Sequence, residues 1–193
     1  MKKDKYYSFI FRGLLTEEAL DKTGRPSKIL FSEEEENNIA KKLCIELLDE
    51  DFIKRSKKMA IVYTAITAFE NSVRKFITKK LLEQVGANWW TTSVSTEIQK
   101  KVTQKMEKEE KYKFHSARGG DLIDYTNFNN LTNIIGRNYS YFEPHFISIE
   151  WARTLLISLE NSRNVIMHGG ELSIEDIERI GINIRDWTNQ IGG

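Results

Sequence analysis

"MAIVYTAITAFENSVRKFI", residues 59–77, decides the fold class. Met59, Val62, Ile66, Phe69, Val73, Phe76 and Ile77 recur at steps of three and four residues. That spacing gathers apolar side chains on one face of a helix, whereas a half-buried strand would alternate with a period of two. The pattern extends from about Phe52 to Gln84, and Gly86 supplies the stop.

The same reading carries outward in both directions. Ser32 followed by Glu35 has capping-box spacing and opens a helix expected to run through about Asp49. Asn88-Trp89-Trp90 lies in the connection after the long helix, its tryptophans read as packing anchors rather than base-stacking platforms. Ser95 caps a charge-rich helix expected from about Thr96 to Ala117, with KMEKEEKYK as a solvated face and Gly119-Gly120 as its end. DLIDYTNFNNLTNIIGRN, residues 121–138, reads as a shorter helix or pair of turns around Leu131–Ile135. A second long helix is expected from about Pro144 to His168. Ser173 with Asp176 then forms another capping box, starting a last helix through about Asn189.

Residues 1–31 are the least regular part: YYSFIF at 6–11 reads as a short strand or packed arm, and TGRPS at 23–27 as a loop. The expectation is therefore an all-α, antiparallel helical bundle over residues 51–193, preceded by an N-terminal extension over 1–50.

Bulk composition bounds the function. The 193 residues suit one domain, and 40% hydrophobic content is enough for a sizeable core. Twenty-nine basic against 28 acidic residues leave a net charge of +1, which excludes a strongly basic nucleic-acid binder but not a local basic patch. The one cysteine, Cys44, has no disulfide partner and reads as a small buried hydrophobe inside a helix. The basic, aromatic N-terminus lacks the apolar run and cleavage site of a signal peptide. No apolar stretch approaches the roughly 20 residues that cross a bilayer. A cytoplasmic protein is expected, with no membrane partner.

The candidate site lies in "LENSRNVIMHGGELS", residues 159–173. At about 100° per residue, Leu155, Leu156, Leu159, Ile166 and Met167 fall within one sector, the expected core face. Glu160, Asn161, Asn164 and His168 gather on the adjacent side, with Asn164 and His168 stacked four residues apart. Arg163 points to the border of the apolar sector, where an arginine wants a carboxylate or phosphate partner. Gly169 or Gly170 can take the left-handed conformation that closes a helix, leaving the imidazole accessible. Spacing alone leaves two readings open: a C-terminal cap with a structural ion pair, or a site.

RNVIMHG, residues 163–169, resembles the signature of the HEPN superfamily (higher eukaryote and prokaryote nucleotide-binding domains): an arginine, four to six residues, then histidine, often with asparagine directly after the arginine. TAITAFENSVRKFI, NWW, DLIDYTNFNNLTNII and LSIEDIERIGINIRDW, in this order, are similar to the branch found in a eukaryotic RNA-surveillance endonuclease and in small bacterial proteins. The resemblance covers roughly residues 55–190 and implies a helical bundle that dimerises, placing two motifs across a shared cleft. It implies a metal-independent endoribonuclease acting on RNA as a homodimer, in phage defence or as a toxin, with an antitoxin or defence-system partner. The alternative it allows is a non-catalytic module that binds RNA, a nucleotide or a protein.

Under that resemblance the residues suit the chemistry. Metal-free RNA cleavage needs a base for the 2′-hydroxyl, an acid for the leaving oxygen and positive charge on the phosphorus centre. His168 is of the residue type that does acid or base work, Arg163 clamps phosphate, and Asn164 orients either. A single bundle supplies one histidine per site, which gives a chemical reason for a dimer. Glu70 and Arg74, four apart in FENSVR, form a second pair that lines the cleft or supports Arg163.

Tyr125 and Asn127 are candidates for packing nearby, while His115 and His145 read as ordinary histidines. Asp121, Asp124 and the glutamates at 33–36 form no convincing metal constellation, and no cofactor is expected. Some HEPN toxins carry a modifiable tyrosine two residues after the histidine. Gly170 stands there, so neutralisation by that route is not implied.

Overall fold

The computed structural model describes residues 11–16, 19–20, 32–112, 116 and 118–192. The expectations for Tyr6–Ile10, for the 23–27 loop and for His115 lie outside the described residues; residues 11–16 are helical.

The chain is all-α among the described residues. α1 spans Glu33–Lys42, α2 Glu50–Val85, α3 Trp89–Ser93 and α4 Thr96–Lys111; α5 spans Phe128–Arg137, α6 Tyr139–Phe142, α7 Ile149–Met167 and α8 Ile174–Ile191. No helix of the described residues is long and apolar enough to cross a membrane.

The 36-residue α2 is the central rod. Asp49 caps it by accepting from the backbone N–H of Asp51 at 2.9 Å and of Phe52 at 3.3 Å, and Gly86 ends it at φ 85°. Met59, Val62, Ile66, Phe69, Val73, Ile77, Leu81 and Leu82 are its buried apolar side chains. They match the three- and four-residue steps of the sequence, except that Phe76 is only partly buried.

Against this face pack Phe128, Leu131 and Ile135 of α5, Leu155, Leu156 and Leu159 of α7, and Ile180 and Trp187 of α8. Trp187 is the largest fully buried side chain, set edge-on to Phe69 at 5.7 Å and stacked on Trp151 at 6.1 Å. Trp89 is buried with Trp90 edge-on to it, which agrees with an anchoring role.

Several boundaries differ from the sequence expectation. α1 stops at Lys42, and Cys44 sits exposed in the left-handed region at φ 51°. The thiol is therefore neither buried nor helical: no α1 side chain is buried, so nothing draws the chain into a longer helix there. α4 ends at Lys111, because its buried side chains are confined to Ile98 and Val102 near its start. α7 begins at Ile149, capped by Ser148, while Pro144 belongs to a 3-10 turn over Glu143–His145. Met167 was expected on the core face but is 60% exposed; the fully buried side chains of α7 stop at Leu159, and in its last turn Ile166 packs against the core only partly buried.

Candidate functional site

The site is built where α2, α7 and the segment leading into α5 meet. Glu70 follows Phe69 on the inner face of α2 and is carried into the core, where it is 4% exposed. A buried carboxylate requires partners, and two arginines supply them. Arg74, one turn further along α2, donates from Nη2 to Glu70 Oε1 at 2.7 Å. Arg163 of α7 donates from Nη1 to Glu70 Oε2 at 3.3 Å and to Oε1 at 3.4 Å. Burial still pushes the Glu70 carboxyl above its ordinary value, with both arginines pulling the other way.

Around this core of charge the segment from Tyr125 to Asn127 acts as a frame. Thr126 offers its carbonyl to Arg74 Nη2 at 2.7 Å, and Tyr125 offers its carbonyl to Lys105 Nζ at 2.8 Å. Asn127 caps α5 through Oδ1, which accepts from the N–H of Asn130 at 2.9 Å. Its Nδ2 donates to Glu160 Oε1 at 3.0 Å, and the N–H of Asn129 donates to Glu160 Oε2 at 2.7 Å. Glu160 thus ties the start of α5 to α7 and lies 3.9 Å from Arg163 Nη2. The same Nη2 donates to Asn164 Oδ1 at 3.4 Å.

The end of α7 is a Schellman turn. The N–H of Gly169 donates to Ile166 O at 3.0 Å and that of Gly170 to Val165 O at 2.9 Å, with Gly169 at φ 76°. The two glycines serve different needs. Gly169 supplies the positive φ, whereas a Cβ at Gly170 would stand 2.7 Å from Val165 Cγ1 and 2.9 Å from Val165 O. His168 is the C-cap residue; its N–H donates to Asn164 O at 3.2 Å, and its side chain is exposed.

Of the five residues singled out in the sequence, Glu70, Arg74, Arg163 and Asn164 form one hydrogen-bonded chain. His168 stands one turn beyond it, with no hydrogen bond to its imidazole among the described residues. Tyr125 and Asn127 do pack at the site. Glu160 and Lys105 were not assigned to it. The three-residue step from Glu160 to Arg163 could have flagged the first; Lys105 lies in a stretch read as a solvated face, yet is half-buried.

Residues 64–192, more than half of the chain, match the model of the Swt1-like HEPN family. The chain belongs to the HEPN superfamily. No curated protein and no solved structure matches it. The matched range of this HEPN domain contains all five residues and every helix from α3 to α8, so the all-α bundle is the family's fold. α1 and the first turns of α2 precede the match.

Chemically, the site offers a guanidinium held by a buried carboxylate, an amide beside it and an accessible imidazole on the same helix. That set can bind a phosphate and move a proton.

Proposed function

We propose that this HEPN domain is a metal-independent endoribonuclease acting as a homodimer. The observation that carries the reading is the fixed Arg163, held by Glu70 from a helix distant in sequence, with Asn164 and His168 exposed on the turn that follows.

In the proposed reaction the 2′-hydroxyl oxygen of RNA bonds to the adjacent phosphorus as the bond to the 5′-oxygen breaks. One imidazole takes the hydroxyl proton and a second gives a proton to the leaving oxygen, so the products are a 2′,3′-cyclic phosphate and a 5′-hydroxyl. Arg163 stabilises charge on the non-bridging oxygens. Asn164 orients the phosphate or the imidazole. Because one chain brings one such histidine, the partner copy supplies the other. Glu70 and Arg74 support the site rather than touch RNA.

The setting that fits is cytoplasmic phage defence or toxin activity, with an antitoxin or defence-system protein as partner. Residues 1–50 form an extension to the catalytic unit at 51–193.

A second reading has its own support. Arg163 already has Glu70, Glu160 and Asn164 around it, an environment that also suits a purely structural arginine in a non-catalytic RNA-, nucleotide- or protein-binding module.

The deciding experiment is cleavage of mixed single-stranded and structured RNA in EDTA by wild type and His168→Ala. Cyclic-phosphate ends made by wild type and lost in a folded variant support the nuclease. RNA left intact by wild type at high concentration moves the module ahead.

A further inference from the structure

A second concentration of positive charge adjoins the Arg163 cluster. Lys105, on α4, is half-buried and donates to Tyr125 O at 2.8 Å. Burial lowers its pKa, and Arg118, Arg163 and Arg74 lower it further, while Glu70 acts in the opposite sense. Among the described residues its ammonium makes no salt bridge and is held by the Tyr125 carbonyl. It has three donors, and the bond to Tyr125 uses one.

Beside it opens a groove of about 420 Å³, lined by Lys105, Lys108, Glu109, Tyr112 and Arg118. Glu109 does not neutralise the lysines. Its carboxylate is ion-paired with the Arg118 side chain, accepts the Arg118 N–H at 3.4 Å and interacts with the Tyr125 hydroxyl. Lys108 is exposed and has no partner among the described residues. Tyr112, the C-cap of α4, is 58% exposed. The near-neutral net charge of the whole chain therefore conceals a local excess of cations beside the Arg163 cluster.

We propose that this groove is a track for the phosphodiester backbone of single-stranded RNA, with Lys105 and Lys108 each contacting a phosphate and Tyr112 stacking an unpaired base. The assignment rests on the reading of the Arg163–His168 turn as an RNA site. It adds the direction in which the strand leaves that site. A single strand is favoured over a duplex because an exposed ring needs an unstacked base, and a cationic groove with an aromatic rim is how sequence-tolerant single-strand binding is built.

The test uses the full chain and a fluorescent 2′-O-methyl single-stranded RNA, which lacks the attacking hydroxyl and so reports binding alone. Anisotropy titrations across salt concentrations would compare wild type with Lys105→Gln, Lys108→Gln, the double variant and Tyr112→Ala. Each lysine replaced should weaken binding and flatten the log–log salt dependence by about 0.7. Tyr112→Ala should cost about fivefold or more in affinity with the salt slope kept. Lys108→Gln alters an exposed side chain and so remains informative if Lys105→Gln disturbs the fold.

Wild-type affinity and slope in the double variant would overturn the track. So would equal competition by polyglutamate together with indifference to Tyr112, which would make the groove a surface for acidic proteins. Cleavage of all-ribose RNA by wild type and His168→Ala separates the two ideas. Lysine-dependent binding without cleavage keeps the track and sinks the nuclease. Cleavage lost in His168→Ala, with binding indifferent to both lysines, does the reverse.

Discussion

Glu70 Oε2 and Arg163 Nη1 are 3.3 Å apart although 93 residues separate them in sequence. The contact joins the middle of α2 to the last turns of α7, and its buried member also holds Arg74. Two guanidinium groups thus share one carboxylate with little access to water. Removing that carboxylate is expected to cost far more than a surface ion pair would.

Glu70→Ala should destabilise the fold by about 3–5 kcal/mol, the range for deleting one partner of a buried pair. Glu70→Gln, which keeps hydrogen-bonding capacity and volume, should cost less. Lys101→Ala, which breaks an exposed pair with Glu97, should change stability by less than about 1 kcal/mol. Urea denaturation of the three variants checks the order. Equal losses from Glu70→Ala and Lys101→Ala would mean that the buried cluster is dispensable.

The acid–base behaviour of Glu70 has a definite sign. Burial raises its carboxyl pKa above the ordinary 4.5, so the folded chain holds this proton more tightly than the unfolded chain does. Stability contributed by the group is therefore present below pH 4.5 and declines as pH rises through the folded value. The stability gap between wild type and Glu70→Gln should narrow across that window and level off above it. A gap that widens with pH would show the arginine pairs outweighing desolvation, reversing the assigned direction.

How much of this was legible follows from which interactions are local. The α2 stripe, the capping boxes at Ser32 and Ser173, and the glycine stop after His168 each depend on residues within one turn, and the sequence states them directly. The pair Glu70–Arg74 has the same character, being four apart on one helix. Its convergence on Arg163 is a tertiary matter, prefigured by the position of Arg163 at the edge of an apolar sector and by the reading of the pair as a support for Arg163, one of two that the sequence left open.

Lys105 was illegible, and Glu160 legible only as a helical neighbour of Arg163 and Asn164, for a related reason. What distinguishes them from solvated charges is the segment from Tyr125 to Asn129: the Tyr125 carbonyl meets Lys105, and the Asn127 amide and the Asn129 N–H meet Glu160, across helix boundaries. Cys44 was misread because composition favours burial of a lone thiol, whereas α1 packs no side chain into a core.

The two glycines after His168 should respond differently to the same substitution. Gly169→Ala places an L side chain at φ 76° with nothing within 4 Å of its Cβ, so its cost should be about 1 kcal/mol, the conformational penalty alone. Gly170→Ala meets a backbone oxygen at 2.9 Å and Val165 Cγ1 at 2.7 Å. It should cost more and should disturb the turn that carries His168. Thermal denaturation gives the ranking, and a smaller loss at Gly170 would contradict this geometry.

The proposed shared site makes a prediction about mixtures. If two protons are moved by two imidazoles, one from each copy, a heterodimer of wild type and His168→Ala has one imidazole missing and is inactive. With subunits exchanged to equilibrium at equal amounts, activity should fall to about a quarter of the all-wild-type value at the same total concentration, the statistical share of wild-type homodimers. Independent sites, one per chain, would instead leave about half. His168 is exposed and its backbone N–H makes the capping bonds, so His168→Ala leaves the helix end intact and isolates the chemistry. Loss of the imidazole should lower the cleavage rate by about 10²–10⁴-fold, the usual contribution of a general acid or base. A linear dependence of activity on the wild-type fraction would reject the composite site while leaving a monomeric nuclease standing.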